Sequence, residues 1–108
     1  MARAKQTHTI TTDETRNVLV DMTGSLNGAE LLVGTPLIQT SSSVITTDVQ
    51  INTVALTING RQTAIGQAVL FKVSSSIAGE YQIEVVCSTD AGQVVEASMD
   101  LCVEATIY

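Results

Sequence analysis

Histidine, cysteine, serine and paired carboxylates are the side chains that could carry chemistry here, and the chain spaces them poorly for it. The sole histidine, His8, stands near the N-terminus, far in sequence from Cys87 and Cys102. A nucleophilic thiol needs a base or a cation beside it, whereas the near neighbours of Cys102 are the carboxylates Asp100 and Glu104. Asp13, Glu14, Asp48 and Asp90 are single or paired and form no Asp-x-Asp-x-Asp calcium loop, so solvated carboxylates are expected. The runs Ser41-Ser42-Ser43 and Ser74-Ser75-Ser76 have no adjacent base and read as turn chemistry. The glycines are isolated, so no phosphate cradle is expected. These residues predict no enzyme, no metal and no cofactor.

The elements that position these residues are strands. In residues 79–103, Tyr81, Ile83, Val85 and Cys87 alternate with polar residues, as do Ala97, Met99, Leu101 and Val103. Such alternation marks strands with one buried face. Asp90-Ala91-Gly92 between them suits a hairpin loop whose last residue is left-handed. Folding the arms about Ala91 puts Tyr81 opposite Leu101, Ile83 opposite Met99, Val85 opposite Ala97 and Cys87 opposite Val95. A slip of one residue would scatter these apolar residues over both faces. In this register Cys87 points inward and Cys102 outward, opposite Glu80. They are separated by on the order of 20 Å along the strands, beyond the ~4.4–6.8 Å Cα spacing of a disulfide. Two free thiols are expected. Glu84 and Glu96 fall on the exposed face, where they are solvated rather than tuned for acid–base work.

Upstream, residues 17–22 predict a first strand, followed by a turn at Asn27-Gly28. A strand starting at Glu30 is interrupted at Gly34-Thr35-Pro36, which marks a bulge or a crossing between sheets, because proline cannot donate to a central ladder. Residues 44–51 and 54–58 are strand-like, and Asn59-Gly60 is a strong hairpin signal with a short polar return arm. In residues 67–73, Val69, Phe71 and Val73 share one face. Turn signals recurring about every 8–12 residues predict an all-β fold, a single antiparallel β-sandwich of seven or eight strands.

Composition agrees. A chain of 108 residues makes one domain. Apolar residues are 44% and aromatics only 3%, so the core is aliphatic and stacking platforms for bases or sugars are scarce. The net charge of −6 argues against nucleic-acid binding. Residues 1–10 contain no apolar run, so no signal peptide is expected, and nothing approaches the length of a membrane span. Synthesis in a cytosol is expected, with no membrane partner.

Residues 1–16 are polar, threonine-rich and unpaired in this strand assignment. They read either as a frayed terminus or as an extended N-terminal arm, with residues 17–108 forming the sandwich domain. The arm reading makes Arg3, Lys5, Thr7, Thr9, Ile10, Thr11 and Thr12 the partner-binding residues, added as a strand to a neighbour's sheet edge.

Two runs carry a resemblance: Leu26-Asn27-Gly28 followed by Leu31, and Ala78-Gly79-Glu80-Tyr81-Gln82-Ile83-Glu84-Val85 with Thr89-Asp90-Ala91-Gly92. They resemble the small immunoglobulin-like proteins among the virion genes of tailed bacteriophages, over residues 17–103. Gly79-x-Tyr81 is similar to the approach to the penultimate strand of such domains, where a tyrosine folds back on the corner. The chain departs from antibody-type domains in having Ile83 where a cysteine is usual, and no tryptophan. The resemblance implies a capsid decoration (cement) protein on the virion surface, made in the host cytoplasm, that stabilises the lattice of the major capsid protein. It also admits contact with other copies of itself. A neck or tail component, and a non-viral adhesion module of the same fold, are the alternatives.

Overall fold

The computed structural model describes residues 6–58 and 60–105. Its elements are almost all strands: β1 (Gln6–Thr11), β2 (Thr15–Asp21), β3 (Leu32–Gln39), β4 (Ile45–Ile51), β5 (Leu56–Ile58), β6 (Arg61–Thr63), β7 (Ala68–Ser74), β8 (Gly79–Thr89) and β9 (Val94–Glu104). A single 3-10 turn, Thr23–Ser25, is the only helical piece among the described residues.

The β8–β9 hairpin has the expected register, with Tyr81 opposite Leu101, Ile83 opposite Met99, Val85 opposite Ala97 and Cys87 opposite Val95. Its loop closes through Gly92, whose φ of 76° is left-handed backbone that glycine adopts without strain. Around this hairpin the chain builds a four-stranded sheet in the order β1-β9-β8-β3. A three-stranded sheet, β2-β7-β4, lies across from it, and β5-β6 forms a separate ribbon. Every pairing is antiparallel except β1 on β9.

Both larger sheets feed one core. Ile83, Val85, Met99 and Leu101 come from the first, and Val18, Val20, Val69, Phe71 and Val73 from the second. The result is a two-layer, β-sandwich-like arrangement. Each fully buried aliphatic side chain contributes ~1.5–3 kcal/mol, and alternation places them all between the layers.

Two expectations need correction. Residues 6–11 do not stand apart as an arm. They pair in parallel with residues 99–104, and Ile10, opposite Val103, is only 2% exposed in the core. The next strand begins at Thr15, so residues 6–21 belong to the domain itself, and the described strands number nine in place of seven or eight. The reason is topological. A parallel partner for the first strand lies at the far end of the chain, where no local pattern announces it. A tight turn joins the two strands: Glu14 N–H donates to the Thr11 carbonyl at 3.1 Å, and Thr11 N–H to Glu14 Oε1 at 2.8 Å.

The interruption at Gly34-Thr35-Pro36 is a bulge: the β3–β8 register shifts between Val33 and Leu37, and Gly34 takes a φ of 74°. β4 has a second irregularity between Thr47 and Gln50, with Asp48 at a φ of 55°. Both strands are sheet edges, and bulges there discourage edge-to-edge pairing with another chain. At the start of β8, the Tyr81 hydroxyl donates to the Ile77 carbonyl at 2.8 Å and pins the β7–β8 corner.

Candidate interaction face

The outward side of the four-stranded sheet follows directly from the register. Along β8 and β9 outward residues alternate with the inward ones, and the outward rows can be read across the sheet. At one end Val33 flanks Ser88, with Val94 on its other side. The next row holds Leu37, Val86 and Glu96, and the next Gln39, Glu84 and Ser98. Beyond them come Gln82, Asp100 and Thr7, then Glu80, Cys102 and Thr9, and finally Glu104 beside Thr11. The face is therefore apolar at one end and anionic over the rest. Val33 is 43% exposed, Leu37 55% and Val94 68%. None of the described outward positions on this face is Lys or Arg.

The apolar end is held by a buried polar network. Glu30 accepts the Asn27 N–H at 3.0 Å through Oε1 and the Thr89 hydroxyl at 2.7 Å through Oε2. Gln67 Nε2 donates to the carbonyls of Glu30 at 3.2 Å and Gly28 at 3.4 Å. Asn52 Nδ2 donates to the carbonyls of Val54 and Ala64, at 2.8 and 2.9 Å. Its Oδ1 accepts the N–H groups of Gly66, Gln67 and Ala68, at 2.9, 3.1 and 3.0 Å. The Asp90 carboxylate accepts the Leu31 N–H at 3.1 Å, and the Asp90 N–H donates to the Leu31 carbonyl at 2.9 Å. Loops from distant parts of the sequence are thus locked together at this end of the sandwich. Sequence reasoning missed Glu30, Asn52, Gln67 and Thr89. Polar residues in polar loops carry no signal of burial until the loops meet.

The residues with chemical potential are dispersed. Glu14 pairs with Arg16 at 3.2 Å and Asp48 with Lys72 at 3.3 Å. The Ser75 hydroxyl donates to the Ser43 carbonyl at 2.8 Å, joining the two serine runs. Cys87 and Cys102 are both free, and burial pushes the Cys87 thiol up to about 11. His8, half-buried in β1, lies below its ordinary 6.5 because burial, and then the Arg16 charge, disfavours the imidazolium. Among the described residues no three of His, Cys, Asp and Glu gather closely enough to hold a metal ion. Over the other sheet, Asn17, Leu19, Asp48, Gln50, Leu70 and Lys72 line an open depression of about 710 Å³, with the Lys72–Asp48 ion pair in its wall.

Of the residues expected to bind a partner, Arg3 and Lys5 lie outside the described residues. Thr7 and Thr9 are exposed, beside Asp100 and Cys102 on the outward face. Thr11 and Thr12 are half-buried, and the Thr12 N–H donates to the Glu104 carbonyl at 3.0 Å. Ile10 is taken by the core and is not available to a partner. The outward face also carries apolar residues beside its carboxylates, because β3 brings Val33 and Leu37 alongside Ser88 and Val86 of β8, with Val94 beyond on β9. Compared with family models, with characterised proteins and with solved structures, the chain matches none.

Proposed function

We propose that this chain is an immunoglobulin-like structural protein of a tailed-bacteriophage virion, a decoration (cement) protein that binds the major capsid protein and stabilises its lattice. The reading assigns it no catalytic step and no cofactor. Its place is the capsid surface. The observation that carries a binding role is the outward sheet face, where Val33, Leu37 and Val94, 43%, 55% and 68% exposed, gather at one end of the sheet around Ser88 and Val86. Contiguous apolar surface of this kind marks interaction sites.

The topology supports the immunoglobulin-like part. Taken in chain order, β2, β4 and β7 correspond to strands B, D and E, and β3, β8 and β9 to C, F and G, giving the two sheets of that fold. β1 departs from the constant-domain arrangement by lying on the last strand in place of the second. The bond from the Tyr81 hydroxyl to the Ile77 carbonyl, 2.8 Å, has the form of the tyrosine corner, with Ile83 where the cysteine would stand. The virion assignment itself rests on the resemblance of the Gly79–Val85 and Thr89–Gly92 runs.

The test mixes purified chain with capsids of the source phage that lack it, and measures uptake by sedimentation. Saturable binding at a fixed ratio to the major capsid protein is expected. Capsids that take up none would end the decoration reading.

A further inference from the structure

The outward face has a direction: apolar at one end, anionic beside it. We infer that the seat formed by Val33, Leu37, Val86 and Val94, bordered by Glu84 and Glu96, is where the partner docks, and that the partner's patch is an apolar side chain with Lys or Arg on one flank. The inference rests on the decoration reading above and names the surface that reading leaves open; the occupant is a patch of the major capsid protein.

Shape comes first. Ser88 sits between Val33 and Val94 across three neighbouring strands. Adjacent strands are ~4.8 Å apart, so the small serine separates the two valines by about two strand spacings. One inserted aliphatic or aromatic side chain fits that space. Leu37 and Val86 in the next row extend the floor. Rigidity comes second, because Thr89 beneath this end is bonded to Glu30 at 2.7 Å and the facing loop is clamped through Asn52. A seat already ordered loses little conformational freedom on binding.

Charge selects the occupant. Glu96 shares a row with Leu37, and Glu84 stands in the next, with Asp100, Glu80 and Glu104 beyond. A second copy docked face to face about a two-fold axis parallel to the strands would set carboxylate rows against carboxylate rows. A partner with basic groups on one flank of its apolar knob meets no such repulsion and can lie in only one orientation.

The experiment uses the same undecorated capsids and the full chain. Leu37→Asp and Val94→Asp alter residues 55% and 68% exposed, so folding, checked by thermal melting, should persist. Leu37→Ser and Val94→Ser are milder companions should an aspartate variant fail to fold. Ile45→Asp, at a residue 59% exposed on β4 of the other sheet, is the control. The seat variants should weaken uptake at least about tenfold, the order expected for loss of a central apolar anchor. Ile45→Asp should bind as the unaltered chain does. Glu84→Gln with Glu96→Gln should weaken uptake severalfold and flatten its dependence on salt, since exposed charges are screened over ~10 Å at 0.1 M. Seat variants that bind normally overturn the inference and leave the decoration reading standing. A dimer in solution that Leu37→Asp dissociates would assign the face to a second copy and overturn it too. If even the unaltered chain fails to bind, the decoration reading falls and the partner named here falls with it.

Discussion

Asn52, ahead of the β5–β6 ribbon, and Thr63, within it, are both buried polar residues, at 4% and 1% exposure, and their hydrogen bonding is opposite. Both polar atoms of the Asn52 side chain are bonded to backbone groups, whereas the Thr63 hydroxyl has no partner among the described residues. A buried donor or acceptor left unpaired costs ~1–3 kcal/mol. Asn52→Ala strands several such groups at once and should lower unfolding free energy by at least about 2–3 kcal/mol. Thr63→Val keeps the branched shape, removes the stranded hydroxyl, and should raise stability by about 1 kcal/mol. Urea titration of the two variants reads both signs, and a destabilised Thr63→Val would mean the hydroxyl is bonded after all. Cys87 adds a pH signature. Its thiol is raised from 9.0 to about 11 by burial. The native state therefore holds the proton more tightly than the unfolded chain, so this contribution is complete below pH 9 and is lost between pH 9 and pH 11. Melting temperature should fall across that window, and less steeply in Cys87→Val than in Cys102→Ser.

At the scale of elements, β1 is the strand whose role changes the most between pattern and fold. Its hydrogen bonds lie on β9, and Ile10 fills the core between Val103 and the second sheet. Cutting a buried isoleucine to alanine costs ~2–5 kcal/mol, a large share of the ~5–15 kcal/mol total of a domain this size. Ile10→Ala should thus shift the melting temperature by well over ten degrees, and deletion of residues 1–11 should leave the chain unfolded or nearly so. A truncated chain melting within a few degrees of the full one would mean β1 is dispensable after all. His8 ties the same strand to pH. Its neutral form is favoured in the native state, so the stability it confers is present above pH 6.5 and is lost as the pH falls through its lowered native value. His8→Gln should reduce the acid lability of the fold, measured as melting temperature between pH 7 and pH 5.

For the whole molecule, charge and edges point toward a monomer. The chain carries a net charge of −6, and five of its eleven acidic residues, Glu80, Glu84, Glu96, Asp100 and Glu104, lie on one sheet face. β3 and β4, each at an edge of its sheet, are both bulged. Like-charged faces and interrupted edges oppose self-assembly. Analytical ultracentrifugation at tens of micromolar and low salt should find a monomer of 11.4 kDa. A stable dimer under those conditions would contradict the charge argument.

Local pattern determined much of this protein. The alternation in residues 79–103 was enough to set the β8–β9 register pair by pair, because only one register buries Ile83, Val85, Met99 and Leu101 together. Gly34-Thr35-Pro36 announced its bulge for an equally local reason: a proline cannot donate and a glycine can take positive φ. The rest depended on which strands meet. Nothing in residues 6–11 names β9 as their partner, since a parallel pairing across the length of the chain leaves no turn to read. Val33, Leu37, Val86 and Val94 are unremarkable one at a time, and become a surface only when β3, β8 and β9 lie side by side. The anchoring of that surface through Glu30, Asn52, Gln67 and Thr89 is likewise a property of converging loops. Periodicity tells each side chain which face of its strand it occupies, and only tertiary pairing decides what stands next to it.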